Sequence, residues 1–144
     1  MLTAKFTLQQ METYVVQQTK NAARAVLDTY LYAGEQFINN ARLSGNYNDI
    51  TGNLRSSIGY VILQDGKQIN INFTEAGVGS DGATGVQIGL SFAELIAEEY
   101  PKGLILICVA GMDYAAAVEA KGRDVITGSA GILTQTLKSL LSSL

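Results

Sequence analysis

Between Thr7 and Ala41 the chain places Leu8, Met11, Val15, Thr19, Ala22, Val26, Tyr30, Ala33, Phe37 and Ala41 at steps of 3, 4 and 4, three times over, and only Thr19 is polar. Eleven residues make about three α-helical turns at roughly 3.67 residues per turn, so this stripe runs nearly straight along one helix. Such a face is expected to be buried from end to end. A second row, Val16, Ala23, Leu27, Leu31, Gly34 and Ile38, lies beside the first and widens the apolar arc over the later two-thirds of the helix. The start is marked by Thr7 and Gln10, spaced as a capping box, and by Phe6, placed to staple onto Met11.

A helix over 7–41 is about 50 Å long, whereas a compact chain of this length has a diameter of about 40 Å. Either the helix bends near Gly34 and frays into Asn39 and Asn40, or its exposed end packs on a neighbouring subunit. On the second reading the row Val16, Ala23, Leu27, Leu31 and Ile38 is the subunit contact.

The 144 residues are 47% hydrophobic and 16% charged, enough for one globular domain with a core of its own, 1–144. The net charge is −3 and no block of Lys or Arg occurs, so no phosphate-neutralising surface is visible and sequence-specific nucleic-acid binding is not expected. No charged segment followed by an apolar run opens the chain, and the most apolar later stretch, 103–110, is too short to span a bilayer. The expectation is a protein of the cytoplasm that makes no use of a membrane. The single Cys108 lies in that apolar stretch, as a reduced, buried thiol would.

After the helix, Ser44, Gly45, Asn46 and Asn48 form a turn, and Ile50, Leu54 and Ile58 at spacing four predict a short helical turn capped by Thr51. Runs at 60–64 and 68–73, joined by Asp65 and Gly66, predict a hairpin with one wet face. The segment 74–89 reads as a Gly-rich loop and 90–100 as a short helix stopped by Pro101. The β-branched run 103–110 reads as a central strand covered on both faces. A short helix at 114–120, a strand at 123–126 and a C-terminal helix carrying Leu133, Leu137, Leu140 and Leu144 complete the chain.

Little of this composition suits catalysis. There is no His, which removes His-based acid–base chemistry, Ser/His triads and His-rich metal sites together. Glu94, Glu98 and Glu99 read as a solvated helix face, so no catalytic, cofactor or metal residue is assigned. Gly77, Gly79 and Gly82 match the dinucleotide fingerprint formally, but that fingerprint needs its third Gly at the opening of a helix, and here 83–89 are expected to intervene. A loop that closes over a small ligand is the alternative use of these glycines. Asp113, Tyr114, Glu119, Lys121, Arg123 and Asp124 form the densest polar cluster; it is either a surface helix and turn, or Arg55 or Arg123 pairs with Glu119 to fix the fold or a subunit contact.

Two motifs flanking the hairpin carry a resemblance. Thr51-Gly52-Asn53-Leu54-Arg55-Ser56-Ser57-Ile58, after a long helix, and Tyr114-Ala115-Ala116-Ala117-Val118-Glu119, after the apolar strand, resemble the HK97 gp10-like family of tailed-phage neck and tail-completion proteins. The matched positions are Thr51, Gly52, Leu54, Arg55, Ser57, Ile58, Tyr114, Ala115, Val118 and Glu119. Gly122 comes one residue later than in the family pattern, a Pro-aromatic segment is missing, and 74–102 looks like an insertion. The resemblance implies an α+β subunit, a long N-terminal helix packed on a small, mainly antiparallel sheet with a C-terminal helix. It also implies a structural rather than enzymatic role, with no cofactor: a homo-oligomeric ring at the head–tail junction or tail end. Its partners would be other neck and tail proteins, its place the virion after assembly in the host cytoplasm, and its acidic character would let DNA pass without sticking.

Overall fold

The computed structural model describes residues 5, 7–44, 49–111 and 127–143. Its elements are α1 (Leu8–Ser44), α2 (Asn53–Ser56), β1 (Ile58–Gln64), β2 (Lys67–Asn72), α3 (Gly82–Ala97), β3 (Leu104–Ala110) and α4 (Thr127–Ser142). The class is α+β: a long N-terminal helix, a three-stranded antiparallel sheet and a C-terminal helix.

The capping box at the start of α1 is closed in both directions. Thr7 Oγ1 accepts the Gln10 amide at 3.1 Å, and Gln10 Oε1 accepts the Thr7 amide at 2.8 Å, so two of the helix's orphan donors are satisfied. Phe6, the expected staple, lies outside the described residues. The helix then runs 37 residues, about 55 Å, with no break at Gly34. That glycine lies against the ring of Tyr60, where a Cβ would come within 2.8 Å, and lets helix and sheet approach closely.

The stripe is not buried from end to end. Ala33, Phe37, Ile38 and Ala41 are in the core, Leu27, Tyr30 and Leu31 pack at its margin, and residues 8–22 are exposed throughout. The sheet is short, and α1 outruns it.

The sheet has the order β2-β1-β3, so the central strand is β1 and not 103–110 as the apolar run of β3 suggested. Ile58 to Leu63 are all buried. Tyr60 and Ile62 face α1, while Val61 and Leu63 face α3, which requires apolar side chains on both sides of the strand. The wet face of the hairpin therefore belongs to β2 alone, which exposes Lys67, Gln68 and Ile69. Asp65 (φ 51°) and Gly66 (φ 80°) form a two-residue turn with both residues left-handed, matched to the twist of the strands. Asp65 also ties the turn to β3, since its Oδ1 accepts the Gly103 amide at 3.0 Å. That bond holds the exposed Asp65 carboxyl below its usual range.

The segment read as a Gly-rich loop is half helix. α3 begins at Gly82, eight residues before the expected start, and ends at Ala97. Gly82, Gly85, Gly89 and Ala93, at steps of 3, 4 and 4, form its buried face. A Cβ at Gly85 would meet the Asn53 carbonyl oxygen at 2.3 Å, and one at Gly89 the Ser57 carbonyl oxygen at 2.4 Å. Hydrophobic periodicity cannot reveal such a face, because close backbone approach, not side-chain area, holds it.

Three layers result. α1 and α4 cover one side of the sheet, where Leu133 joins the cluster of Phe37, Ile38, Tyr60 and Ile62. α3 covers the other side through Ala93 and Ile96 on Val61, Ile107 and Val109. The segments expected as a helix at 114–120 and a strand at 123–126 lie outside the described residues, as does Leu144.

Candidate assembly surface and its supporting motif

The octapeptide Thr51 to Ile58 joins four elements. Gly52 is left-handed at φ 78°, and a Cβ there would stand 1.8 Å from the Val78 carbonyl oxygen. Only glycine satisfies both constraints. Asp81 donates its amide to the Thr51 carbonyl at 2.7 Å, so residues 78–81 lie along Thr51 and Gly52. Asn53 Oδ1 accepts the Gly85 amide in the first turn of α3 at 3.2 Å, and Ser56 Oγ accepts the Ala76 amide at 3.0 Å. Ser57 Oγ donates to the Leu54 carbonyl at 2.7 Å, and the Ser57 carbonyl accepts the Gly111 amide at 3.2 Å. Leu54 and Ile58 are in the core, but Ile50, expected beside them, is 77% exposed.

Two charged residues that the motif does not include complete it. Asp49 caps α2, taking the Leu54 and Arg55 amides at 3.4 and 2.8 Å, whereas Thr51 Oγ1 reaches only the Asn53 amide at 3.3 Å. Arg42, in the last turn of α1, donates to the carbonyls of Arg55, Ile58 and Thr74. Arg55 Nε returns a bond to the Arg42 carbonyl at 3.3 Å. One guanidinium thus ties α1 to α2, β1 and the segment after β2, as its fork of donors allows. A basic residue at the end of a helix before a turn was the available signal for Arg42.

The remaining family positions, Tyr114, Ala115, Val118, Glu119 and Gly122, lie outside the described residues, and with them the expected pairing of Arg55 or Arg123 with Glu119. The segment 74–102 is integral to one face of the sheet.

The glycine fingerprint meets one of its geometric requirements, since Gly82 does open a helix. Protein atoms, however, fill the approach to that helix end. A Cβ on Gly79 would lie 2.1 Å from the Thr51 carbonyl carbon, and one on Gly82 2.9 Å from Ser56 Oγ. Asn53 takes a first-turn amide, and Thr84 Oγ1 donates to Asp81 Oδ1 at 2.9 Å. The glycines bring chain against chain. Among the described residues no three of His, Cys, Asp or Glu come together as they would to hold a metal ion. Burial in the sheet pushes the Cys108 thiol up to about 12, away from nucleophilic chemistry at neutral pH.

The described surface that stands out is on α1. Leu8 is 78% and Val15 60% exposed, and Met11, Tyr14 and Val16 are also open to solvent. Scattered apolar side chains are ordinary on a surface, but here they fall on about 20 Å of one projecting helix. Of the row assigned to subunit contact, Ile38 is buried in the protein's own core and so is not available to a neighbour. Leu27 and Leu31 are half-buried, and Val16 and Ala23 are exposed. Where α1 leaves the sheet, Ala23, Arg24, Val26, Leu27, Asp28 and Leu31 form a groove of ≈ 700 Å³ with Gln64 and Leu104, the end of β1 and the start of β3. Among the described residues no helix is long and apolar enough to cross a membrane. No protein-family model, curated protein or solved structure matches this chain.

Proposed function

We propose that the chain is a structural subunit of a bacteriophage or prophage neck or tail, in head–tail joining or tail completion, and that it works as a homo-oligomeric ring. The observation that carries the assembly is the N-terminal half of α1, which projects past the sheet with Leu8, Met11, Tyr14, Val15 and Val16 uncovered. An apolar surface of this extent calls for a protein partner, and closed cyclic symmetry supplies one to every copy. The phage setting rests on the resemblance of Thr51 to Ile58 to the gp10-like motif. The use of that motif as a joint between α1, β1 and α3 accords with a rigid building block. The other reading, a small binding module with a glycine-rich ligand loop, gains no support from glycines packed against Thr51, Asn53 and Ser57.

The test is genetic and compositional. In a strain that produces the phage, the protein should be found in purified particles at a fixed copy number, and deletion of its gene should leave heads and tails unjoined or tails incomplete. Infectious particles at normal yield from the deletion strain would contradict the proposal.

A further inference from the structure

Two surfaces of the subunit complement each other and lie on opposite faces of the sheet. The first is the groove beside α1. Its walls are Ala23, Val26, Leu27, Leu31 and Leu104, with Gln64 at the end of β1. Between Thr13 and Leu27 the only charged residues are Lys20 and Arg24. Both are exposed, and Lys20 continues the line of Val16, Ala23 and Leu27 at steps of 4, 3 and 4.

The second surface is a flank of α3. Ile88, Phe92 and Leu95, at steps of 4 and 3, stand on one side of this helix, away from the buried Gly82, Gly85, Gly89 and Ala93. Leu95 is 62% and Phe92 41% exposed. Between Gly82 and Tyr100 the only charged residues are Glu94, Glu98 and Glu99, all exposed. An apolar edge with acidic neighbours thus occurs in the same chain as an apolar groove with basic ones.

We infer that these two surfaces meet between copies: the Phe92–Leu95 edge of α3 seats in the α1–sheet groove of the next subunit, with Glu98 and Glu99 against its Lys20 and Arg24. Opposite charge fixes which surface goes with which, because groove on groove would set Lys20 and Arg24 against themselves, and edge on edge would oppose three carboxylates. The position of the two surfaces fixes the symmetry. α1 packs on the Tyr60 and Ile62 side of the sheet, and α3 on the Val61 and Leu63 side. A contact between unlike surfaces on opposite sides is heterologous, so each subunit uses both and the chain of contacts closes as a ring or continues as a filament. One helix edge in one groove is at the small end of specific interfaces, about 1,000 Å² in total, but each copy within a ring makes it twice. The inference deepens the ring proposal and depends on it for closure, not for the pairing of the surfaces.

Cysteine cross-linking of the full chain tests it. Ala23→Cys and Leu95→Cys are placed on separate chains, which are mixed and oxidised mildly; Cys108 is little reactive, with its thiol pushed up to about 12. The expected product is a disulfide dimer that needs both chains, and a ladder of higher species when one chain carries both substitutions. A parallel series reverses charge: Lys20→Glu with Arg24→Glu should raise the concentration for half-assembly about tenfold or more, and adding Glu98→Lys with Glu99→Lys should restore it. Dimers from either variant alone, or no cross-link in a protein that still assembles, would overturn the inference and leave the ring proposal standing. A monomer at every concentration would overturn both.

Discussion

The phenol of Tyr60, on β1, donates its hydrogen to Glu35 Oε1, on α1, at 2.7 Å. The same oxygen accepts Asn72 Nδ2, on β2, at 2.8 Å. One carboxylate oxygen thus links the long helix to two strands. Tyr60 is among the largest fully buried side chains, and its hydroxyl has to be satisfied there. Tyr60→Phe should cost about 1–2 kcal/mol, measured by urea unfolding at pH 7.

The same bond gives an alkaline signature. Burial and then the Glu35 carboxylate raise the Tyr60 hydroxyl well above its ordinary value near 10. Above about pH 10 an unfolded chain releases this proton while the native state keeps it, so the unfolded state binds fewer protons and stability falls as pH rises. Wild type should therefore lose more stability than Tyr60→Phe between pH 9 and 11. Parallel decline of the two curves in urea titrations would remove the bond from the account.

Much of the architecture was legible and some was hidden, for reasons that differ by element. α1 announced itself through an eleven-residue period and a capping box, and the hairpin through Asp65-Gly66. The place of β1 was misjudged because both β1 and β3 are continuous apolar runs, and composition does not say which stands between two neighbours. The first two turns of α3 were missed because Gly82, Gly85 and Gly89 are helix-averse by propensity and are tolerated only where backbones touch. Thr51 to Ile58 was visible as a motif, but the dependence of its geometry on Arg42 and Asp49 was not, since those bonds form only once α1 has folded back onto β1.

Glycines on the two helices should respond oppositely to the same change. Gly89→Ala forces a Cβ to 2.4 Å from the Ser57 carbonyl oxygen, and separating α3 from the motif should cost about 2–4 kcal/mol. Gly131 in α4 is exposed with open space around it, so Gly131→Ala should stabilise by about 0.5–1 kcal/mol. Thermal unfolding of the two variants beside wild type checks both signs.

Arg42 should not be replaceable by lysine. An ammonium on a flexible stem cannot reach the carbonyls of Arg55, Ile58 and Thr74 together, so Arg42→Lys should lose about 1–3 kcal/mol, close to the loss for Arg42→Ala. Proteolysis under native conditions should then cut first within 73–81, the segment whose Thr74 carbonyl Arg42 holds.

Val15→Glu combined with Val16→Glu changes two exposed positions on the projecting part of α1. The melting temperature at a concentration where the protein is monomeric should move by less than about 2 °C. Assembly should weaken, because charge is placed on a face that the account covers with protein. Unchanged assembly would assign the projecting helix to another partner.

The most direct test of the central claim, that the uncovered helix makes this chain a building block of a closed assembly, is the solution mass of the purified protein by light scattering across a tenfold dilution series. The account predicts one mass of several subunits that persists on dilution. A single-subunit mass at every concentration would contradict it.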